Sequence, residues 1–304
     1  MSRMAVGRAD LRIEKNRGRG DDDMTTLEMV LMIYRGLISK CTEREIPVRL
    51  RAKRIVGTVQ DDPFDCWMQN EIKSSLPNTF EVVHSGPLTT PDLIVRDRRT
   101  GLIVGLEVKK LIRQANGRDP RGMTLDYNSC LPCGSTLVKV GDEAIVIPCF
   151  YFFALLSHDS KSIVSSILLD GDFLNYDFEL HKESKYSNYT EYNHGPYGEG
   201  SIRHRKMYTY PNPLNDKIEA FSLRHVVVAK KNDFDRLRDR KCKITEQIIR
   251  TDRYGHSFYY YLDDELSADS PSDGNLVTLE GIFDACKVRK PKERVAAIPT
   301  IERL

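Results

Sequence analysis

The stretch PDLIVRDRRTGLIVGLEVKK, Pro91 to Lys110, sets the reading of this chain. Two runs rich in Val, Ile and Leu flank a polar RDRRTG, the pattern of a β-hairpin. Successive strand side chains point to opposite faces. Leu102, Val104, Leu106 and Val108 therefore face a core, while Ile103, Gly105, Glu107 and Lys109 face the other way. Pairing through the turn sets Asp92 beside Glu107 and Lys109, and Gly105 leaves room for something to approach. Two carboxylates at one sheet edge repel each other and lose hydration unless something offsets the cost. A hard divalent cation such as Mg²⁺ does so, taking carboxylate oxygens while keeping several waters. An ammonium beside it orients a water and stabilises charge on a phosphate. These groups suit phosphodiester hydrolysis.

Upstream, residues 1–23 read as a flexible basic arm carrying Arg3, Arg8, Arg12, Lys15, Arg17 and Arg19. From Thr25, the spacing of Leu27, Val30, Leu31, Tyr34 and Ile38 predicts an amphipathic helix. DDPFDCWMQNEIKSSLP predicts a shorter one, with Asp62 as N-cap, Pro63 at its first position and Pro77 ending it. Phe64, Trp67, Met68 and Glu71 share a face of that helix, so the Glu71 carboxylate needs a partner. A salt bridge with a lysine would supply one, and fraying of the helix end would remove the need. FEVVHS predicts a strand before the hairpin. Downstream, TLVKV, AIVIPCFYFFALL and RHVVVAK predict further strands, SIVSSILLDGDFL reads equally as strand or helix, and DFDRLRDRKCKITEQIIR predicts a helix. With neither repeat nor clean linker, residues 24–304 form one elaborated α/β domain in this reading.

The Pro91-Asp92 pair followed by Glu107-Val108-Lys109 resembles the PD-(D/E)xK nuclease signature. Other (D/E)xK tripeptides occur at Glu71–Lys73, Asp159–Lys161, Glu183–Lys185 and Asp239–Lys241. Only Glu107 follows a Pro-Asp at suitable spacing within a strongly aliphatic strand. The resemblance implies a restriction-endonuclease-like core, a central mixed β-sheet flanked by helices with DNA-recognition insertions. It also implies Mg²⁺ held by Asp92 and Glu107, and Lys109 serving the attacking water. Glu71 resembles the extra acid that a preceding helix brings to the metal in many of these enzymes. The catalytic core then spans about residues 60–156, with recognition and dimerisation elements mainly in 111–135 and 175–290.

Two polar segments suit DNA contact. TLDYNSCLPCGS offers Asp126, Asn128, Ser129 and the amides near Gly134, and a self-bonded turn is its plainer reading. In the Tyr-, Asn- and Gly-rich stretch after Asn175, Arg203 and Arg205 could read base edges and Lys206 could hold phosphate. The expected activity is a site-specific, type II double-stranded DNA endonuclease leaving 5′-phosphate and 3′-hydroxyl ends. Palindromic sites imply a homodimer. The alternatives are a structure-specific repair nuclease or junction resolvase, and a non-catalytic DNA-binding protein.

Other classes fit less well. The net charge of +2 neither demands nor excludes a polyanion, although basic clusters permit one. The longest apolar run, Ala144–Leu156, is too short for a spanning helix. Seven cysteines at irregular spacing, with no secretory leader, suggest free thiols and a cytoplasmic setting. CLPC has half of a zinc site's spacing and no second half. There is no GxSxG, HExxH or Walker A motif.

Overall fold

The first helix starts on a reciprocal cap. Thr25 Oγ1 accepts the Glu28 N–H at 3.2 Å, and Glu28 Oε2 accepts the Thr25 N–H at 2.7 Å. This arrangement satisfies donors that a helix start leaves bare. The computed structural model describes residues 24–43, 45–47, 63–85, 91–116, 124–127, 134–174, 208–211, 214, 225–238, 242–251, 257–263 and 300–301. Helix α1 spans Thr26–Glu43. Its predicted stripe of Leu27, Val30, Leu31, Tyr34 and Ile38 is buried, as are Met29, Ile33 and Leu37. So much burial encloses α1 on more than one face.

Helix α2 (Pro63–Ser75) opens on its proline and buries Phe64, Trp67, Met68 and Ile72. The predicted cap Asp62 lies outside the described residues. The stripe runs on to Ile72 and leaves Glu71 at its margin, half-buried.

Strands β1 (Phe80–His84), β2 (Leu93–Asp97) and β3 (Ile103–Ile112) form an antiparallel meander. The β2–β3 turn is built by Asp97, whose carboxylate accepts the Arg99 N–H at 3.0 Å and the Thr100 hydroxyl at 2.7 Å. Gly101 follows with φ 74°, a conformation glycine adopts at little cost. The predicted hairpin is therefore present.

After β4 (Thr124–Tyr127) and β5 (Ser135–Val140) comes the long β6 (Glu143–Leu156). Its first part pairs with β5. Its second part runs parallel to β3 and antiparallel to β7 (Ile163–Asp170). The ambiguous segment resolves into β7 and a short helix, α3 (Gly171–Leu174). The remaining elements are β8 (Tyr208–Pro211), β9 (His225–Lys230), α4 (Lys231–Asp235), β10 (Cys242–Thr251), β11 (Ser257–Asp263) and β12 (Thr300–Ile301).

Among the described residues ten strands join one mixed sheet, in the order β1-β2-β3-β6-β7-β9-β11-β10, with β5 and β12 branching from β6. The helix predicted over Asp233–Arg250 is corrected to the five-residue α4 followed by β10. Strand β10 carries Ile244, Ile248 and Ile249 and pairs antiparallel with the aromatic β11. In the backbone register Ile244 stands opposite Tyr261 and Ile248 opposite Phe258, and residue types that favour strands outweigh the local helical pattern.

Helices α1 and α2 cover one sheet face, packing on Val95, Val104, Leu106, Val108, Phe150 and Phe152. Tyr34 meets Phe152 edge-on at 5.9 Å. On the other face Val138 of β5 and Ile147 of β6 pack with Ile94 of β2. Each fully buried aliphatic or aromatic side chain contributes about 1.5–3 kcal/mol. The alternation read from sequence is therefore held from both sides, and β3 has little freedom to slip. No helix among the described residues is long and apolar enough to cross a membrane.

Candidate active site

The site forms where β2 and β3 part. Their pairing ends at Leu93–Leu106. One residue earlier, the Asp92 carbonyl accepts the Ser85 N–H at 2.9 Å. The Asp92 side chain turns the other way, and Oδ2 accepts the Val108 N–H at 2.7 Å. A carboxylate thus takes a strand amide that continued pairing would have satisfied. It is pinned beside Glu107 by backbone rather than by a mobile side chain.

Glu107 is 4% exposed. Its Oε1 accepts a hydrogen bond from the Lys109 ammonium, which also lies 3.4 Å from the Val108 carbonyl. In the parallel register Tyr151 stands beside Glu107 and Phe153 beside Lys109, both buried. These rings keep water from one side of the charged pair. The other oxygen, Glu107 Oε2, is buried without a hydrogen-bond partner in the described structure. A carboxylate oxygen in that position costs free energy until a cation or donor reaches it.

The electrostatics agree with this geometry. Burial, then the Glu107 charge, pushes the Asp92 carboxyl up to about 7, against the pull of Lys109, the Val108 N–H and Lys110. For Lys109 burial is the largest influence and acts downward. The Glu107 and Asp92 carboxylates outweigh it and leave the ammonium raised above its ordinary value.

The space predicted beside Gly105 is filled from within. A Cβ there would come within 2.7 Å of Pro91 Cγ. The glycine therefore lets the Pro91-Asp92 corner lie flat on β3.

Glu71 is not gathered with the other three. Its carboxylate lies 3.4 Å from Lys40 Nζ of α1, and the same ammonium donates to the Glu71 carbonyl at 3.3 Å. Because Ile72 completes the inward stripe of α2, Glu71 is turned toward α1. This is the lysine salt bridge left open by the sequence.

Helix α2 instead presents Asp65, which sequence reasoning missed. Asp65 Oδ1 lies 3.5 Å from Lys110 Nζ, and that ammonium sits 5.2 Å from the centre of the Phe64 ring. Asp65 is also close enough for its charge to favour the Lys109 ammonium. The only sequence signal was a carboxylate in the first turn of α2, a common position at helix starts. Among the described residues no group of three or more His, Cys, Asp and Glu side chains is arranged to hold a metal. Among the described residues the carboxylates brought to Lys109 at the β2–β3 parting are two, Asp92 just ahead of β2 and Glu107 on β3.

Of the predicted DNA contacts, Asp126 lies on β4, opposite Thr209 of β8 in a two-stranded antiparallel ribbon apart from the main sheet. The ribbon joins the two polar segments chosen from sequence, which are far apart along the chain. Asn128, Ser129, Arg203, Arg205 and Lys206 lie outside the described residues, as do both cysteines of CLPC. The Gly134 amide is already engaged: it donates to Asp172 Oδ1 at 3.1 Å.

Sequence reasoning also missed two buried polar clusters. Asp170 and Asp172 both pair with Lys230, at 3.4 and 2.6 Å. Ser166 Oγ lies 2.7 Å from His225 Nδ1 and 2.8 Å from Tyr34 OH. Ser166 is fully buried. That network ties α1 to β7 and β9 and offers no accessible nucleophile.

No protein-family model, curated protein or solved structure matches this chain.

Proposed function

We propose that the chain is a Mg²⁺-dependent endonuclease acting on double-stranded DNA at specific sites, with Asp92, Glu107 and Lys109 as its catalytic centre. The observation that carries this reading is the buried, unpartnered Glu107 Oε2 beside Asp92 and Lys109 at the β2–β3 parting. The residues suit the metal: two carboxylates from adjacent strands offer hard oxygen ligands and leave coordination positions for water. When bound, Mg²⁺ supplies Lewis acidity at the scissile phosphate and acidifies a coordinated water.

The protein groups do the rest. The Val108 N–H fixes the Asp92 carboxylate, and Glu107 Oε1 fixes the Lys109 ammonium. From that position Lys109 orients the attacking water in line with the leaving oxygen and stabilises charge on the phosphate. Water oxygen bonds to phosphorus as the bond to the 3′-oxygen breaks. One proton leaves the water and one is taken up by the 3′-oxygen, leaving 5′-phosphate and 3′-hydroxyl ends. Tyr151 and Phe153 limit solvent on one side, which strengthens these interactions. A two-fold dimer in the cytoplasm, reading a palindrome with the segments flanking the β4–β8 ribbon, completes the proposal.

The test is digestion of a plasmid of known sequence with Mg²⁺, followed by sequencing of the fragment ends. Discrete fragments are expected, lost in Asp92→Ala and Lys109→Ala while DNA binding is retained. A smear, or cutting confined to junctions, would favour a structure-specific nuclease. Binding without any cutting would leave a non-catalytic DNA-binding protein.

A further inference from the structure

The strand that carries Glu107 and Lys109 has a second ammonium next to them, and its role differs. Lys110 points to the α2 face, where it lies 3.5 Å from Asp65 Oδ1 and 5.2 Å from the Phe64 ring centre. Both members of the pair are largely enclosed, with side chains 17% and 16% exposed, so water screens them little. Asp65 also acts on Lys109, and Lys110 also acts on Asp92. Among the described residues two adjacent lysines of β3 therefore meet three carboxylates, Asp65 from the α2 face and Asp92 and Glu107 at the β2–β3 parting, and their pairing has to be partitioned. Lys109 is bonded to Glu107 and Lys110 is set on Asp65.

We propose that Lys110 is a positioning residue that guards the site, neutralising Asp65 so that Lys109 stays with Glu107 and Asp92. The Phe64 ring holds the Lys110 ammonium over the first turn of α2 by cation–π attraction. Without that ammonium the Asp65 charge falls more heavily on Lys109, and the water-orienting group is drawn from the geometry that Glu107 fixes. The consequence for catalysis rests on the nuclease reading above. The partition of charge does not.

The experiment compares Lys110→Met, Asp65→Asn and the double variant in the full chain. In plasmid cleavage Lys110→Met is expected to lower kcat at least tenfold with KM for DNA unchanged, and the double variant to return within about threefold of wild type, because one charge pair is worth about one to two decades here. A lysine that merely packs α2 on β3 would leave the double variant as slow as Lys110→Met or slower, and that result overturns the proposal. The second arm is independent of cutting. Asp65→Asn and Lys109→Met are combined in wild-type and Lys110→Met backgrounds, and Tm is measured. Their effects should be additive with Lys110 present and non-additive in its absence; equal coupling in both backgrounds overturns the guard role. If wild-type protein cuts no DNA the nuclease reading fails, and the Tm comparison alone decides the guard role.

Discussion

Two clusters of nearly the same composition lie close together on one sheet and meet different ends. Asp92, Glu107 and Lys109 bridge β2 and β3. Asp170, Asp172 and Lys230 bridge the end of β7, α3 and the end of β9. The register Leu106–Phe150–Asp170 places the second cluster two strands from β3 and one row from Glu107, about 10 Å across the sheet. In the second cluster all four carboxylate oxygens are engaged. Asp170 Oδ1 takes the Asp172 N–H, Asp172 Oδ1 takes the Gly134 N–H, and both Oδ2 atoms face Lys230. In the first cluster Glu107 Oε2 is left over. Saturation suits a structural knot, and under the proposed function the open oxygen of Glu107, beside Asp92 and Lys109, is where the metal would bind.

The largest test of that contrast is a pair of lysine substitutions. Lys109→Met should lower cleavage per folded molecule by about 10²–10⁴-fold, the range for losing a group that handles protons or charge in the transition state. Lys230→Met leaves Asp170 and Asp172 without their ammonium. Breaking such a buried pair costs about 3–5 kcal/mol, read by urea unfolding, while turnover per folded molecule should hold. Equal effects on cleavage would mean that both clusters serve one site.

The contrast also explains what was legible. The Asp92–Glu107–Lys109 grouping could be read because all three sit within one hairpin, where strand alternation and a short turn fix geometry. Asp170, Asp172 and Lys230 could not, because β7 and β9 are joined in parallel across a long intervening segment. The same holds for Tyr34, Ser166 and His225. Asp65 was overshadowed by Glu71, whose i+7 spacing from Phe64 looked inward, because helical phase alone could not show that Ile72 fills the last core position. Strand β10 was misread because its charges mimic a solvated helix and its partner β11 comes later in the chain.

A metal titration sharpens the comparison next. Mg²⁺ should raise Tm of the wild type and do so little in Glu107→Gln, whereas Lys230→Met should keep the Mg²⁺ response. Ligand at 100 times its Kd adds about 2.7 kcal/mol, well within the reach of a thermal melt. An undiminished Mg²⁺ response in Glu107→Gln would remove the metal from this site.

The two clusters should also differ in their pH response. Burial, then Glu107, raises Asp92 from its ordinary 3.8 to about 7, and burial raises Asp170 to about 6. In each case the folded state holds a proton that the unfolded chain has released. Stability therefore falls as pH rises, from about 4 to 7 for Asp92 and from about 4 to 6 for Asp170. Metal binding needs the ionised Asp92, so stabilisation by Mg²⁺ should grow from pH 6 to pH 8. Asp170→Asn should flatten the lower part of the metal-free profile and leave that growth in place. If it removes the growth instead, the proton that competes with the metal belongs to the knot.

The smallest expected effect belongs to Glu71. Its ion pair with Lys40 joins α2 to α1, and a part-exposed pair of this kind contributes about 0–1 kcal/mol. Glu71→Gln should change Tm slightly and leave cleavage within about twofold of wild type, since a side chain aimed at α1 neither holds metal nor orients water. Lys40→Met should match it, because each substitution removes one half of the same contact. A hundredfold loss of cleavage in Glu71→Gln, with Lys40→Met unaffected, would show that Glu71 leaves Lys40 when DNA and metal arrive. The open cluster would then gain a third carboxylate, and the contrast with the saturated knot would lie in which side chains can move as well as in which oxygens are filled.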